Sequence, residues 1–316
     1  MNIVILDGHT TNPGDLPFTE FEKLGNLTVY DYTPDHLTVE RSRGADIIIG
    51  NKTNMPKEFL ENITAKYIGL FSTGYNVVDI ETASKLGITV CNVPAYSTNA
   101  VAQHTFALIL ELYNYVGHHS NSVRDGNWND PAKFCFWDKP LYELTGKTLG
   151  IIGMGSIGQK TAEIATAFGL NVIFANRSKK DNLPYPQVSL EELYKTADII
   201  SLHCPLTPET TGMINKSAID LMKENAIIIN TSRGATINEQ DLADALNSGR
   251  IYGAGVDVLS TEPPKADNPL LTAKNCFITP HIAWAAHETR SRMLKVAVQN
   301  VINYLNGTPT NVVSNV

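Results

Sequence analysis

The chain has 316 residues, 43% hydrophobic and 18% charged, with a net charge of −7 and a pI near 5.6. That length accommodates two domains, each with its own core. The acidic balance argues against a nucleic acid or a membrane surface as partner, since no basic tract exceeds Lys179-Lys180.

In chain order, five short apolar runs come first, at 3–6, 27–30, 47–49, 67–71 and 88–91, with helical stretches such as 56–63 and 78–86 between them. Alternation of this kind predicts a parallel sheet covered on both faces. A long helix is expected from Ala100 to about Arg124, followed by a stretch without clear periodicity, 127–142, that holds Trp128, Phe134, Phe136 and Trp137. Aromatics in such a segment pack on a core or on a second copy of the chain, and the latter predicts a homodimer. A second strand series follows at 148–152, 171–175, 198–202, 226–229, 254–258 and 276–279. Six strands with intervening helices are the count of a full dinucleotide-binding fold. The last helix, 287–305, has no place in that sheet and folds back on the first domain. The expected fold class is therefore α/β: two Rossmann-like or flavodoxin-like domains with parallel sheets and the active site in the interdomain cleft. A discontinuous substrate-binding (catalytic) domain is expected at 1–99 plus 288–316, and a dinucleotide-binding Rossmann domain at 100–287.

Cys91, Cys135, Cys204 and Cys276 are scattered, with no C-x-x-C pair and no His at zinc spacing. Free thiols and no metal site are expected. The chain runs from Met1 straight into a strand, so a cytoplasmic protein without a cleaved leader is expected.

The strongest local signal is the run from Leu149 to Gly158, in which a buried strand breaks into Gly153-x-Gly155-x-x-Gly158 and passes into an amphipathic helix. Gly153 permits the tight turn, Gly155 lets a pyrophosphate approach the backbone, and Gly158 lets helix and strand pack closely. The phosphates would sit on the free N–H groups and positive dipole end of that helix. About 20 residues on, NAD-binding folds carry an acid for the ribose hydroxyls; here Asn176 stands there, followed by Arg177 and Ser178. Loss of the carboxylate removes its repulsion of a 2′-phosphate, and Arg177 and Ser178 can bind one. NADP is the expected cofactor, with NAD possible as a poorer one because Asn176 can still bond a ribose hydroxyl.

Three polar residues fall at the carboxyl ends of late strands: Arg233, Glu262 and His281. Taken singly, each has a duller explanation as a salt-bridge, loop or turn residue. Together, behind a Rossmann turn, they suit a 2-keto acid: a histidine to give a proton near neutral pH, a carboxylate to favour the imidazolium, and a guanidinium to grip the substrate carboxylate.

The order and spacing of Gly153–Gly158, His203-Cys-Pro-Leu-Thr-Pro-Glu-Thr210, Asn230-Thr-Ser-Arg-Gly234, Val256-Asp-Val258, Glu262-Pro263 and Pro280-His281 resemble the D-isomer-specific 2-hydroxyacid dehydrogenases. Asn51-Lys-Thr53, Ser72-Thr-Gly-Tyr-Asn76 and Phe136-Trp-Asp-Lys-Pro140 are similar to the branch of glycerate dehydrogenases, or hydroxypyruvate and glyoxylate reductases. The resemblance implies Arg233 as substrate anchor, Glu262 as partner of His281, and His281 as acid–base. It implies substrate contacts at Lys52, Ser97 and the backbone N–H groups of Gly74 and Tyr75. It also implies cofactor contacts at Ser156, Ile157, Cys204, Pro205, Thr210, Thr231, Ser232, Asp257 and Ala283. Formate dehydrogenases, similar elsewhere, carry an amide where Glu262 stands. The implied activity is reduction of hydroxypyruvate or glyoxylate to D-glycerate or glycolate. Pyruvate or a larger 2-keto acid is the alternative substrate. A dinucleotide-sensing corepressor on this same fold is the alternative of another class.

Overall fold

The computed structural model of the chain describes every residue except Lys133 and Val316. Its contacts divide the chain into two compact units, Met1–Ser97 with Ala285–Val316, and Thr98–Trp284.

The first unit runs β1 (Asn2–Ile5), α1 (Thr19–Glu22), β2 (Asn26–Val29), α2 (Thr38–Arg41), β3 (Ile47–Gly50), α3 (Lys57–Leu60), β4 (Tyr67–Leu70), α4 (Ile80–Lys85) and β5 (Thr89–Cys91). Its sheet is parallel throughout, in the order β2-β1-β3-β4-β5. The inner strands β3 and β4 are buried along their whole length, as expected where both faces are covered. Asp79 caps α4 by accepting the Thr82 N–H at 3.0 Å.

The second unit begins with α5 (Thr98–Asn114) and α6 (Val116–Arg124). A single helix was expected here, but the chain breaks at Tyr115, whose φ of 47° is left-handed. Tertiary anchoring accounts for the break. The Tyr115 hydroxyl donates to Asn275 Oδ1 at 2.7 Å and lies 2.9 Å from the Tyr252 hydroxyl, and its ring meets Phe277. Apolar spacing cannot register such contacts.

After β6 (Thr148–Ile152), α7 (Ser156–Ala167) and β7 (Asn171–Ala175) come α8 (Leu190–Thr196), β8 (Ile199–Leu202), α9 (Lys216–Leu221), β9 (Ile227–Asn230), α10 (Glu239–Ser248), β10 (Gly253–Val256) and β11 (Cys276–Ile278). The six parallel strands run β11-β10-β9-β8-β6-β7. A lone bridge residue, Gln187, lies parallel to Phe174 on the outer edge of β7. Counting it as a vestigial third strand restores the 3-2-1-4 order of dinucleotide-binding sheets around β6. The core on one face is built from Leu108, Ile109 and Leu112 of α5 with Ile151, Phe174 and Ile229 of the sheet. The final helix, α11 (His287–Leu305), belongs to the first unit, where Arg290 is nearly buried and grips Asp15 through two 2.6 Å bonds. No helix among the described residues is long and apolar enough to cross a membrane.

Candidate active site

In the second unit the strands β9, β10 and β11 are neighbours, with Asn230, Val256 and Ile278 aligned in register. The loops leaving those three strand ends carry Arg233, Glu262 and His281, so one sheet edge gathers all three. Ligands of open α/β sheets bind at this edge.

His281 and Glu262 are in contact, Nδ1 to Oε2 at 2.6 Å. A carboxylate only accepts, so Nδ1 carries the hydrogen and the other ring nitrogen, Nε2, is the one that can exchange a proton with a ligand. The second carboxylate oxygen of Glu262 takes the Leu259 N–H at 3.1 Å, which fixes the plane of the group.

His281 has a left-handed backbone, φ 55°. For a residue other than glycine this costs about 1–2 kcal/mol. The turn is held by Asp257, which is 1% exposed. Its Oδ1 accepts the Thr279 hydroxyl at 2.6 Å and the Ile282 N–H at 2.8 Å, and its Oδ2 accepts the Ala283 N–H at 2.9 Å. The Thr279 hydroxyl is thus a donor to Asp257, so it accepts from His104 Nε2 at 2.9 Å, which sets that histidine's tautomer. Asp257 and Ala283, which the resemblance implies as cofactor contacts, also form the clamp that holds the His281 turn.

Arg233 is exposed and its Nη1 donates to Ser232 O at 2.7 Å. The loop beneath it is organised by Asn230, fully buried. Asn230 Oδ1 accepts from Ser232 N and Oγ at 3.0 and 2.8 Å, while Nδ2 donates to Arg233 O at 2.9 Å and Thr236 Oγ1 at 3.2 Å. Thr231, nearly buried, sits 3.1 Å from the Thr105 hydroxyl. Asn230 stands in a motif the sequence marks, but its loop-organising role has no spacing of its own, and His104 is not marked at all.

The glycine turn between β6 and α7 has the stereochemistry a pyrophosphate needs. Gly153 has φ 99°, and a Cβ there would lie 2.7 Å from His203 O; one on Gly158 would lie 2.3 Å from Gly153 O. A Cβ at Gly155 would meet nothing within 4 Å, so space lies above the turn. The Ser156 and Ile157 N–H groups at the head of α7 donate to no acceptor among the described residues. Exposed, partnerless N–H groups at a helix N-terminus favour an anion.

Around the turn, Thr210 Oγ1 donates to Pro205 O at 2.7 Å and closes the 205–210 loop. Cys204 is nearly buried, and burial raises its thiol above the usual range. His203 lies beneath, 2.9 Å from Ser201 Oγ, and desolvation pushes its imidazole down to about 4. Asn176 Oδ1 accepts the Met154 N–H of the glycine turn at 3.2 Å, and its Nδ2 donates to Ser178 O at 2.8 Å. Gln187 braces this segment from the side, with Nε2 3.2 Å from both Asn176 O and Ser178 O and Oε1 accepting the Lys180 N–H at 2.9 Å. Arg177 and Ser178 are exposed. The sheet order puts β7 and β11 at opposite edges, roughly 24 Å apart at about 4.8 Å per strand. The edge between is long enough to carry both halves of a dinucleotide.

In the first unit, Lys52 is exposed on a loop whose backbone is tied to buried Asp7: the Asn51, Lys52 and Thr53 N–H groups all donate to that carboxylate, at 2.9, 2.6 and 2.7 Å. Gly74 and Tyr75 occupy the loop after β4, and Ser97 is half-buried.

Residues 106–283 match the family described as D-isomer specific 2-hydroxyacid dehydrogenase, NAD binding domain. A hydroxypyruvate reductase of Blautia hydrogenotrophica is 50% identical over 321 residues, covering 99% of this chain and 100% of that one. A glycerate dehydrogenase of Methylorubrum extorquens is 41% identical, covering 89% of each chain. Among solved structures, an acyclic imino acid reductase (Bsp5) in complex with NADPH and D-Arg superimposes with a TM-score of 0.86 at 34% identity, over 99% of this chain and 100% of that one. The chain belongs to the D-isomer-specific 2-hydroxyacid dehydrogenases. As such it is an NAD(P)-dependent oxidoreductase acting between 2-keto and D-2-hydroxy acids.

Proposed function

We propose that the chain reduces hydroxypyruvate or glyoxylate to D-glycerate or glycolate and prefers NADPH to NADH. The observation that carries the chemistry is the 2.6 Å His281–Glu262 pair at the carboxyl edge of the sheet, in the strand row that also bears Arg233. The relatives, a hydroxypyruvate reductase and a glycerate dehydrogenase, support the hydroxypyruvate–glycerate pair, and the glyoxylate–glycolate pair follows from the resemblance to the same branch. When bound, the reduced nicotinamide supplies the hydride that the substrate carbonyl carbon accepts. Gly153, Gly155, Ser156, Ile157 and Gly158 would hold its pyrophosphate. Cys204, Pro205 and Thr210 would flank the adenosine half, and Thr231, Ser232, Asp257 and Ala283 the nicotinamide half.

His281, charged, gives its Nε2 proton to the carbonyl oxygen while Nδ1–H stays on Glu262. Glu262 stabilises the charged ring before transfer. Arg233 takes the substrate carboxylate through its guanidinium, with the Gly74 and Tyr75 N–H groups and Ser97 as further donors and Lys52 as a positive charge. Following reduced-nicotinamide absorbance at 340 nm against a panel of 2-keto acids tests the assignment. Turnover ranking hydroxypyruvate or glyoxylate first supports it, and no turnover with any 2-keto acid ends it.

Preference for NADP rests on Asn176, Arg177 and Ser178, exposed or half-exposed beside the glycine turn; the similar imino acid reductase carries NADPH. A homodimer is supported by Trp128, Phe134 and Trp137, which are 54%, 92% and 64% exposed in the single chain. Aromatics this open form a patch that a second copy would cover. Sedimentation at micromolar concentration should give twice the 34.6 kDa chain mass, and a single-chain mass would dispose of the dimer. The four free cysteines suit the reducing cytoplasm.

A further inference from the structure

The loop after β4 has an uneven hydrogen-bond pattern. Every carbonyl from Ser72 to Tyr75 accepts a hydrogen bond from a donor of the protein. Val93 N–H reaches Ser72 O at 2.9 Å, Asn92 Nδ2 reaches Thr73 O at 2.7 Å, Ser72 Oγ reaches Gly74 O at 2.6 Å, and Val78 N–H reaches Tyr75 O at 3.1 Å. The Gly74 and Tyr75 N–H groups, by contrast, donate to no acceptor among the described residues. In a trans peptide, C=O and the following N–H point in opposite directions. Holding Thr73 O therefore aims the Gly74 N–H, and holding Gly74 O aims the Tyr75 N–H. Both donors face away from the side chains that pin their carbonyls, and each is polarised by the bond behind it.

Asn92 is itself fixed. It is 8% exposed, its N–H donates to Asn311 O at 3.1 Å, and its carbonyl accepts Asn300 Nδ2 at 2.9 Å. Asn300, 2% exposed on α11, takes Asn311 Nδ2 on its Oδ1 at 2.8 Å. A buried amide chain thus runs from the C-terminal segment through α11 to the Thr73 carbonyl.

We propose that Asn92 and Ser72 are positioning residues that aim the Gly74 and Tyr75 N–H groups at the substrate carboxylate. This rests on the proposed role of those two N–H groups. Ser72 and Asn92 touch no substrate; they determine how tightly the carboxylate is held by orienting its donors.

The test compares wild type with Asn92→Asp, which keeps the side-chain shape but sets an acceptor against Thr73 O, and with Ser72→Ala, a milder change should the first fail to fold. The measurements are kcat and KM for hydroxypyruvate, NADPH affinity by fluorescence, and the Gly74 and Tyr75 amide resonances during titration with oxamate, a carboxylate-bearing analogue. The expected result is a KM raised about tenfold in Asn92→Asp and severalfold in Ser72→Ala, with NADPH affinity within about twofold of wild type. Both amide resonances should respond to oxamate in wild type and respond less in the variants. If both amides respond in wild type but folded variants keep its KM, the positioning role is overturned and the carboxylate role of Gly74 and Tyr75 stands. If neither amide responds in wild type, both roles fall together. Equal losses in KM, NADPH affinity and thermal midpoint would mark general loosening and also overturn the proposal.

Discussion

Replacing His281 with Asn should remove nearly all turnover, by about 10²–10⁴-fold in kcat, while leaving NADPH affinity close to wild type. Asn is the informative choice because the backbone at this position is left-handed, φ 55°. Asn adopts that region more readily than Ala, so the 279–283 turn and its bonds to Asp257 should persist. The loss can then be assigned to the missing proton donor. The glycine turn follows β6, with β8, β9 and β10 between it and β11, so pyrophosphate binding should not register the change. A kcat within tenfold of wild type would remove His281 from the chemistry. Glu262→Gln is the companion variant. Its single amide oxygen can keep the bond from Nδ1 only by turning the NH2 toward the Leu259 N–H, so the variant removes the negative charge beside the ring together with the second acceptor. Reduction consumes the ring's proton, so kcat in Glu262→Gln should fall by about tenfold or more while NADPH affinity stays close to wild type. His203 should add no limb between pH 5 and 8, because burial keeps it neutral down to about 4. An unchanged kcat in Glu262→Gln would separate the carboxylate from the proton transfer.

What the sequence made legible was whatever has a period or a fixed spacing. Among the described residues the eleven strands all lie within or beside the apolar runs, and the glycine turn shows the close contacts expected of Gly153 and Gly158 and the open space expected of Gly155. The Glu262–His281 contact is the pairing the family resemblance implies, and both residues lie on loops leaving neighbouring strands. What stayed hidden was tertiary. Tyr115 breaks a helix whose apolar spacing is continuous, for the sake of bonds to Asn275 and Tyr252 far along the chain. Gln187 supplies one bridge residue in place of a strand, too short to leave an alternating pattern. Asn92, Asn230 and Asp257 shape three site loops from beneath, through contacts with backbone atoms that any sequence could provide. Polar residues at strand ends are common, and only the fold tells which of them meets a ligand and which holds a loop in place.

The ratio of kcat/KM for NADPH to that for NADH should favour NADPH in wild type and fall by about a hundredfold in Asn176→Asp/Arg177→Ala. Two effects of roughly tenfold each contribute. Arg177 is an exposed guanidinium next to Asn176, the residue proposed to meet the adenosine ribose, and the charge-assisted bonds it would make to a 2′-phosphate would be absent with NADH. Aspartate at 176 adds a negative charge facing that phosphate, yet it can accept from ribose hydroxyls when the phosphate is missing. The local structure lets the exchange be made without collapse of the turn. Asn176 Oδ1 accepts the Met154 N–H at 3.2 Å, a role a carboxylate oxygen can fill. What is lost is the Nδ2 bond to Ser178 O, and Gln187 still holds both Asn176 O and Ser178 O from the other side. Lys179, which adds positive charge to the same turn, is exposed and pairs with Asp181 at 3.0 Å. The measurement is steady-state kinetics with each cofactor at fixed, saturating hydroxypyruvate, beside calorimetric binding of 2′,5′-ADP and 5′-AMP. A wild type that favours NADH would defeat the assignment of Asn176, Arg177 and Ser178. An NADPH preference that survives the double substitution would mean that the phosphate is read by residues outside this turn.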